Sequence, residues 1–224
     1  ARQTGQAMTY GRVLCPLDGF ARAVHEFAAG DPDGHGGRAR GCNVTVPFKF
    51  EALRLAARCS ERAALAGAAN TLRFDAEGWW ADNTDGVGLV RDIEANAGLP
   101  LAGRRVLLVG AGGAGAGVLG PLLAARPAEV VVANRTAQKA QALVDRHAAV
   151  AQAQGVPLSA CSLDSPGTAF DMVLNASASS LQGQASPVPA SVLAPGALAV
   201  DLMYGAAAEP FLAWARAAGA GARD

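Results

Sequence analysis

The stretch Arg105-Val106-Leu107-Leu108-Val109 passes directly into Gly110-Ala111-Gly112-Gly113-Ala114-Gly115, and no other junction in the chain restricts its fold so tightly. A short unbroken apolar run is the pattern of a parallel strand buried on both faces. The glycines match G-x-G-x-x-G in full. The first permits a tight turn, the second clears the backbone for a pyrophosphate, and the third lets the next helix pack against the strand. A helix starting there offers unpaired N–H groups and a positive dipole end to an anion. With 27 glycines among 224 residues, the hexapeptide gains its weight from the strand before it and the helix after it.

The alternation continues downstream. Glu129 to Ala133 reads as a second strand and Thr136 to Ala149 as a helix with Thr136 at its N-cap. Phe170 to Leu174 and Leu198 to Leu202 are further strands. Strand–helix alternation of this kind implies a Rossmann-type, doubly wound parallel sheet with helices on both faces, here over residues 99–224. Gly and Pro between Ala97 and Gly103 mark the seam.

Residues 1–98 read as a second, open α/β unit. Leu17 to Ala29 has helical spacing with Gly30 as its stop, and Cys42 to Val46 is a strand ended by Pro47. Phe48 to Ala57 is a helix, Ala69 to Phe74 pairs with Trp79 to Asp82 around Gly78, and Thr84 to Asn96 is helical again. The chain opens without Met, and Ala1 to Thr4 reads as the middle of a helix, so an incomplete start is expected.

Charge excludes some functions. With 19 basic and 19 acidic residues the net charge is zero, which leaves no electrostatic footprint for nucleic acid. No apolar run reaches the length of a membrane span. The 4 cysteines show neither CxxC pairing nor histidines at metal spacing, so no metal site is expected. They read as partly buried thiols of a cytoplasmic protein.

Cofactor choice is written at the end of the second strand. An acidic residue there would bind the ribose hydroxyls of NAD. This chain has Asn134-Arg135-Thr136 instead, with Lys139 one helical turn further. A guanidinium suits a phosphate dianion, and a charge-assisted bond contributes roughly 1.5–3 kcal/mol, so NADP is expected. A solvent-facing arginine at a helix start is the plainer alternative.

Before the seam, Asn43-Val44-Thr45-Val46-Pro47-Phe48-Lys49, Ala69-Asn70-Thr71-Leu72 and Asp82-Asn83-Thr84-Asp85-Gly86 place polar groups at strand and helix ends. Alone, Lys49 would be surface charge and Asp85 a helix cap. Together these segments resemble the three signature segments of shikimate dehydrogenases. The glycine turn, Asn134-Arg135-Thr136, Asn175-Ala176-Ser177 and Asp201-Leu202-Met203-Tyr204-Gly205 follow in that family's order.

The resemblance implies reversible, NADPH-dependent reduction of 3-dehydroshikimate to shikimate, a step of aromatic amino-acid biosynthesis. By that match Lys49 and Asp85 are the catalytic pair, Thr45 and Asn70 hold substrate hydroxyls, and Tyr204 lines the same pocket. Gly110, Ala111, Gly112, Gly113 and Ala114 take the pyrophosphate. Asn134, Arg135 and Thr136 take the ribose phosphate, to which the spacing lets Lys139 add charge, and Ala176, Ser177 and Met203 line the groove toward the nicotinamide. The chemistry agrees. Hydride reaching a ketone carbon leaves charge on oxygen, which an ammonium can stabilise and protonate.

Members of that family also begin with a strand and a serine pair, and end with a helix bearing a substrate-binding glutamine. Neither stands in this sequence, and Arg223-Asp224 looks like the beginning of the second segment. Phe50 stands where an acidic residue is usual, and Glu209 where threonine is common. Competing expectations are a quinate/shikimate dehydrogenase using NAD, another NADP-linked enzyme of the same build, and a non-catalytic nucleotide- or metabolite-sensing module. A small-molecule substrate is the expected partner, with neither nucleic acid nor membrane, in a monomer or homodimer.

Overall fold

The computed structural model describes residues 5–30, 37–180, 183 and 186–224, so the helical reading of Ala1 to Thr4 lies outside the described residues. The first half contains α1 (Phe20–Ala29), β1 (Gly41–Asn43), α2 (Lys49–Leu55), β2 (Arg58–Cys59), α3 (Glu61–Ala66), β3 (Thr71–Arg73), β4 (Trp80–Asp82) and α4 (Asp85–Arg91). A wider π-helical turn, Asp92–Asn96, extends α4. Strand order is β1-β3-β4-β2, with β3 antiparallel to both neighbours and β2 parallel to β4. Phe20 and Val24 of α1 are buried against Ala52 and Leu72, as their spacing requires. Gly30 closes α1, its N–H bonding Glu26 O at 3.0 Å.

The first half differs from expectation mainly in length. Its strands are three residues or fewer, and β1 and β4 end where the polar signature segments 43–49 and 82–86 leave the sheet. The elements β2 and α3 are too short to show a hydrophobic period. Ser60 nevertheless caps α3, accepting from Ala63 N at 3.2 Å.

The second half contains β5 (Arg105–Val109), α5 (Gly113–Ala124), β6 (Glu129–Asn134), α6 (Ala137–Gln154), β7 (Leu158–Ser162), β8 (Phe170–Asn175), β9 (Leu193–Asp201), α7 (Glu209–Ala217) and β10 (Gly221–Arg223). All six strands are parallel, in the order β10-β9-β8-β5-β6-β7. Counted from β5, the order turns back between β5 and β8, and ligands of such sheets bind beyond the strand ends at that reversal. Alternate residues of β5 go to opposite faces. Val106 and Leu108 pack with Leu119, Leu122 and Leu143, while Leu107 and Val109 pack with Phe211 and Val173. Burial on both faces is why the strand reads as unbroken apolar sequence.

Several details depart from the sequence reading. Thr136 occupies the N-cap position of α6, but its side chain makes no capping bond. Strand β9 begins five residues earlier than expected, at Leu193, and a register shift between Phe170 and Met172 of β8 accommodates Pro195 and Gly196. β7 and β10 sit at the sheet edges, where apolar patterning is weak. Cys15, Cys42 and Cys161 are half-buried, whereas Cys59 is exposed. Burial, with Cys15 alongside, pushes the Cys42 thiol up to about 11. Among the described residues no helix is long and apolar enough to cross a membrane, and no cluster of His, Cys, Asp and Glu could hold a metal ion.

Candidate active site

A cleft of about 1300 Å³ follows the carboxyl ends of β5, β6 and β8 and is faced across the gap by the signature segments of the first half. Every side chain assigned above to catalysis, substrate or cofactor lies on its walls.

Lys49 opens α2 after a turn in which Phe48 N bonds Thr45 O at 3.0 Å, and Asp85 opens α4. Lys49 Nζ donates to Asp85 Oδ2 at 2.7 Å, with side chains only 14% and 25% exposed. Asn70 donates from Nδ2 to Asp85 Oδ1 at 2.8 Å and to Thr84 Oγ1 at 3.0 Å, and its Oδ1 accepts from Thr84 N at 3.1 Å. Lysine, carboxylate and amide are therefore one hydrogen-bonded set, with both carboxylate oxygens engaged. Thr45 lies on the same wall, and Phe50, 40% exposed, adds an apolar face beside Lys49.

Buried polar residues hold this set in place. Asp82 takes two bonds from Arg62 and one each from Ser60 Oγ and Asn83 N. Burial pushes its carboxyl upward, but these bonds and the guanidinium outweigh that and hold it below the usual carboxylate range. Asn83, 1% exposed, donates to Ala68 O at 2.9 Å and accepts from Asp85 N at 3.2 Å. Gly86 seats α4 on α5, since a Cβ there would come within 2.6 Å of Gly117 O and Pro121 Cγ. The Lys49 side chain reaches the start of α5, where a Cβ on Gly113 would stand 3.0 Å from Lys49 Cβ.

The opposite wall is the glycine turn. Gly110 has φ +108°, and a Cβ on it would lie 2.8–2.9 Å from the Ala176–Ser177 peptide. A Cβ on Gly115 would strike the Gly110 carbonyl oxygen. The turn can be made only of glycine at these points, and α5 begins there with no side-chain cap, leaving its first N–H groups for an anion. A dinucleotide pyrophosphate fits that cradle.

Asn134 accepts from Ala111 N at 3.1 Å and donates to Thr136 O at 2.9 Å. Its amide thus braces the turn; Arg146 of α6 also lines the cleft, and two exposed cations at that end are Arg135 and Lys139. Neither has an ion-pair partner among the described residues. Ala176, Ser177 and Met203 line the far end, with Tyr204, 83% exposed, on the rim. Glu209 pairs locally with Arg216 at 2.7 Å. The sequence reading gave no role to Arg62, Asp82, Asn83, Asn175 or Asp201. All but Arg62 stand inside the motifs quoted above, but a motif does not say which of its side chains turn inward, and Arg62, within α3, stands in none of them.

Comparison with known proteins agrees with this architecture. Residues 1–72 match the model of the shikimate dehydrogenase substrate-binding domain, and residues 93–182 that of the shikimate/quinate 5-dehydrogenases. A shikimate dehydrogenase (NADP(+)) of Methylibium petroleiphilum is 62% identical over 224 residues, covering 100% of this chain and 76% of the relative. The crystal structure of an Ael1 enzyme from Pseudomonas putida superposes with a TM-score of 0.82 at 42% identity, covering 100% of this chain and 78% of that one. Shikimate 5-dehydrogenase of Thermus thermophilus, solved with NADP(H) and shikimate, gives 0.73 at 31% identity, covering 92% and 72%. Motifs, strand order and overall likeness converge: the chain belongs to the shikimate dehydrogenase family.

Proposed function

We propose that this protein is an NADP-dependent oxidoreductase that interconverts shikimate and 3-dehydroshikimate, with Lys49 and Asp85 as its catalytic pair. The single observation that carries the reading is the 2.7 Å Lys49–Asp85 contact, tied to Asn70 and facing the glycine turn. When bound, the nicotinamide gives hydride to, or takes it from, the ring carbon bearing the reacting oxygen. In the reducing direction Lys49 donates a proton to that oxygen as charge develops on it. In the oxidising direction the hydroxyl proton passes to the lysine nitrogen. Asp85 holds Nζ in line through Oδ2, and Asn70 fixes the carboxylate through Oδ1. Thr45 and Asn70 line the same space and on this reading hold the substrate's other hydroxyls, Asn70 by exchanging its bond to Thr84 Oγ1 for one to the substrate.

On this reading residues 1–98 bind substrate and residues 99–224 bind the dinucleotide. Gly110, Ala111, Gly112, Gly113 and Ala114 cradle the pyrophosphate. Arg135 and Lys139 engage the phosphate that distinguishes NADP from NAD, with Asn134 and Thr136 shaping the loop that carries them. Ala176, Ser177 and Met203 wall the nicotinamide end and Tyr204 lines the substrate pocket. The protein works in the cytoplasm as a monomer or homodimer.

The test is a matrix of shikimate and quinate against NADP+ and NAD+, following the reduced-nicotinamide absorbance of the purified protein. Highest catalytic efficiency with shikimate and NADP+ is expected. Preference for NAD+ or quinate would reassign the specificity, and bound dinucleotide without turnover would make the protein a sensor.

A further inference from the structure

The strand order fixes which end of the cleft takes which half of a dinucleotide. Arg135 lies beyond β6 and the glycine turn beyond β5, so the nicotinamide half falls beyond β8 and β9. Two loops leave the sheet there, 176–180 after β8 and 202–205 after β9. Between them lies Asp201, 2% exposed, with no ion-pair partner among the described residues.

All the partners of Asp201 belong to these two loops or to the strand ends that launch them. Its Oδ2 accepts from Asn175 Nδ2 at 3.0 Å and from Ser180 Oγ, and its Oδ1 accepts from Met203 N at 2.8 Å. Asn175 passes the connection on, because its Oδ1 accepts from Ser177 N at 3.2 Å and from Ser177 Oγ at 2.6 Å. The Ala176–Ser177 peptide in turn is the surface against which Gly110 closes. An unpaired buried carboxylate is costly, and similar loops could be joined by neutral groups. A carboxylate is the one side chain here that takes three donors from two loops at once.

We propose that Asp201 is a positioning residue for the dinucleotide: through Asn175, Ser180 and Met203 it clamps together the two loops that wall the nicotinamide end. The inference rests on the dinucleotide reading above and asks nothing further of the shikimate chemistry.

Replacing Asp201 with Asn keeps the shape but turns an amide donor toward the Asn175 amide donor. The exchange variant, Asp201→Asn with Asn175→Asp, faces a donor with an acceptor again and keeps an acceptor for Ser177. NADP+ binding is measured by calorimetry, and KM for each substrate by steady-state kinetics. Asp201→Asn should weaken NADP+ binding and raise its KM by about tenfold, the scale of one hydrogen bond to a charged group. The shikimate KM should stay within about twofold, and the exchange variant should recover most of the loss. Ser180→Ala, a milder cut in the same clamp, should weaken NADP+ by a few-fold and serves if Asp201→Asn does not fold. Unchanged NADP+ affinity in both single variants, or equal losses for both substrates with no recovery on exchange, overturns the proposal. Calorimetry reads the clamp even if shikimate is not turned over, whereas a wild-type protein that binds NADP+ without turnover bears on the activity alone.

Discussion

Lys49 and Asp85 lie 36 positions apart, on the first turns of two different helices, yet their side chains meet at 2.7 Å on one wall of the cleft. Neither helix would bring them together by itself. The meeting depends on β3 and the residue before it, Asn70, whose N bonds Asp82 O at 3.0 Å and whose O accepts from Val44 N at 2.7 Å, so the strands carrying both segments share one neighbour.

Lys49→Ala should lower kcat by about 10²–10⁴-fold, with a smaller change in shikimate KM, because a proton donor acts mainly in the transition state. Asp85→Asn should lower kcat in the same direction, since the amide cannot pair with the ammonium. A near wild-type kcat for Lys49→Ala in a steady-state assay would remove it from the mechanism.

Arg135 and Lys139 are exposed and lack ion-pair partners among the described residues, so removing them should cost little stability. Arg135→Ala should reduce kcat/KM with NADP+ by about ten- to a hundredfold while NAD+ changes little. The double variant with Lys139→Ala should narrow the ratio further. Parallel kinetics with the two cofactors read the outcome, and an unchanged ratio would place the specificity elsewhere.

The second half was legible because its signals repeat over many residues. β5, β6, β8 and the end of β9 are buried on both faces, and that burial appears in the sequence as apolar runs. The edge strand β7 has no fully buried residue and carries two serines among its five, and β10 has three residues, so neither showed such a run. In the first half the polar segments marked the site, but their hydrogen-bond partners were hidden. Nothing local distinguishes Asn70, which braces Asp85, from Asn43, which accepts from Tyr10 Oη at 2.6 Å on the surface. Likewise Asp82 and Asp85 are three positions apart, yet one is locked to Arg62 below the site and the other faces the cleft. Those differences arise from tertiary packing and have no period to read.

The Asp82–Arg62 pair makes a prediction of its own. A buried carboxylate stripped of its cation is left uncompensated, so Arg62→Met should destabilise the protein by about 1–3 kcal/mol, discounted for the half-exposed guanidinium. The carboxyl is held below its ordinary range, so its stabilising contribution is present above pH 3.8, the ordinary value, and is lost as pH falls through the lowered one. Denaturant unfolding at neutral pH should show the loss in Arg62→Met, and the variant's stability should fall less steeply in acid than the wild type's.

His147 on α6 should govern stability in a milder acid range. It is fully buried at the floor of an apolar hollow of about 650 Å³ between α3, α4, α5 and α6. Its Nδ1 lies 2.9 Å from Leu143 O, and its Nε2 has no protein partner. With Nδ1–H donating to that carbonyl, Nε2 carries a lone pair and the ring is neutral. Burial pushes its pKa below the ordinary 6.5, the nearby Arg146 charge assists, and the Leu143 carbonyl opposes. The unfolded chain therefore takes up a proton near pH 6.5 that the folded protein refuses, and stability declines as pH falls through that range. Asp201 acts with the opposite sign, because burial raises its pKa and the folded state takes its proton first. Comparing His147→Leu with the wild type isolates the histidine, since Asp201 is common to both. Melting temperatures between about pH 7.5 and 5.5 should fall more steeply for the wild type than for His147→Leu. Equal slopes would mean that the folded protein admits the proton at this site as readily as the unfolded chain does.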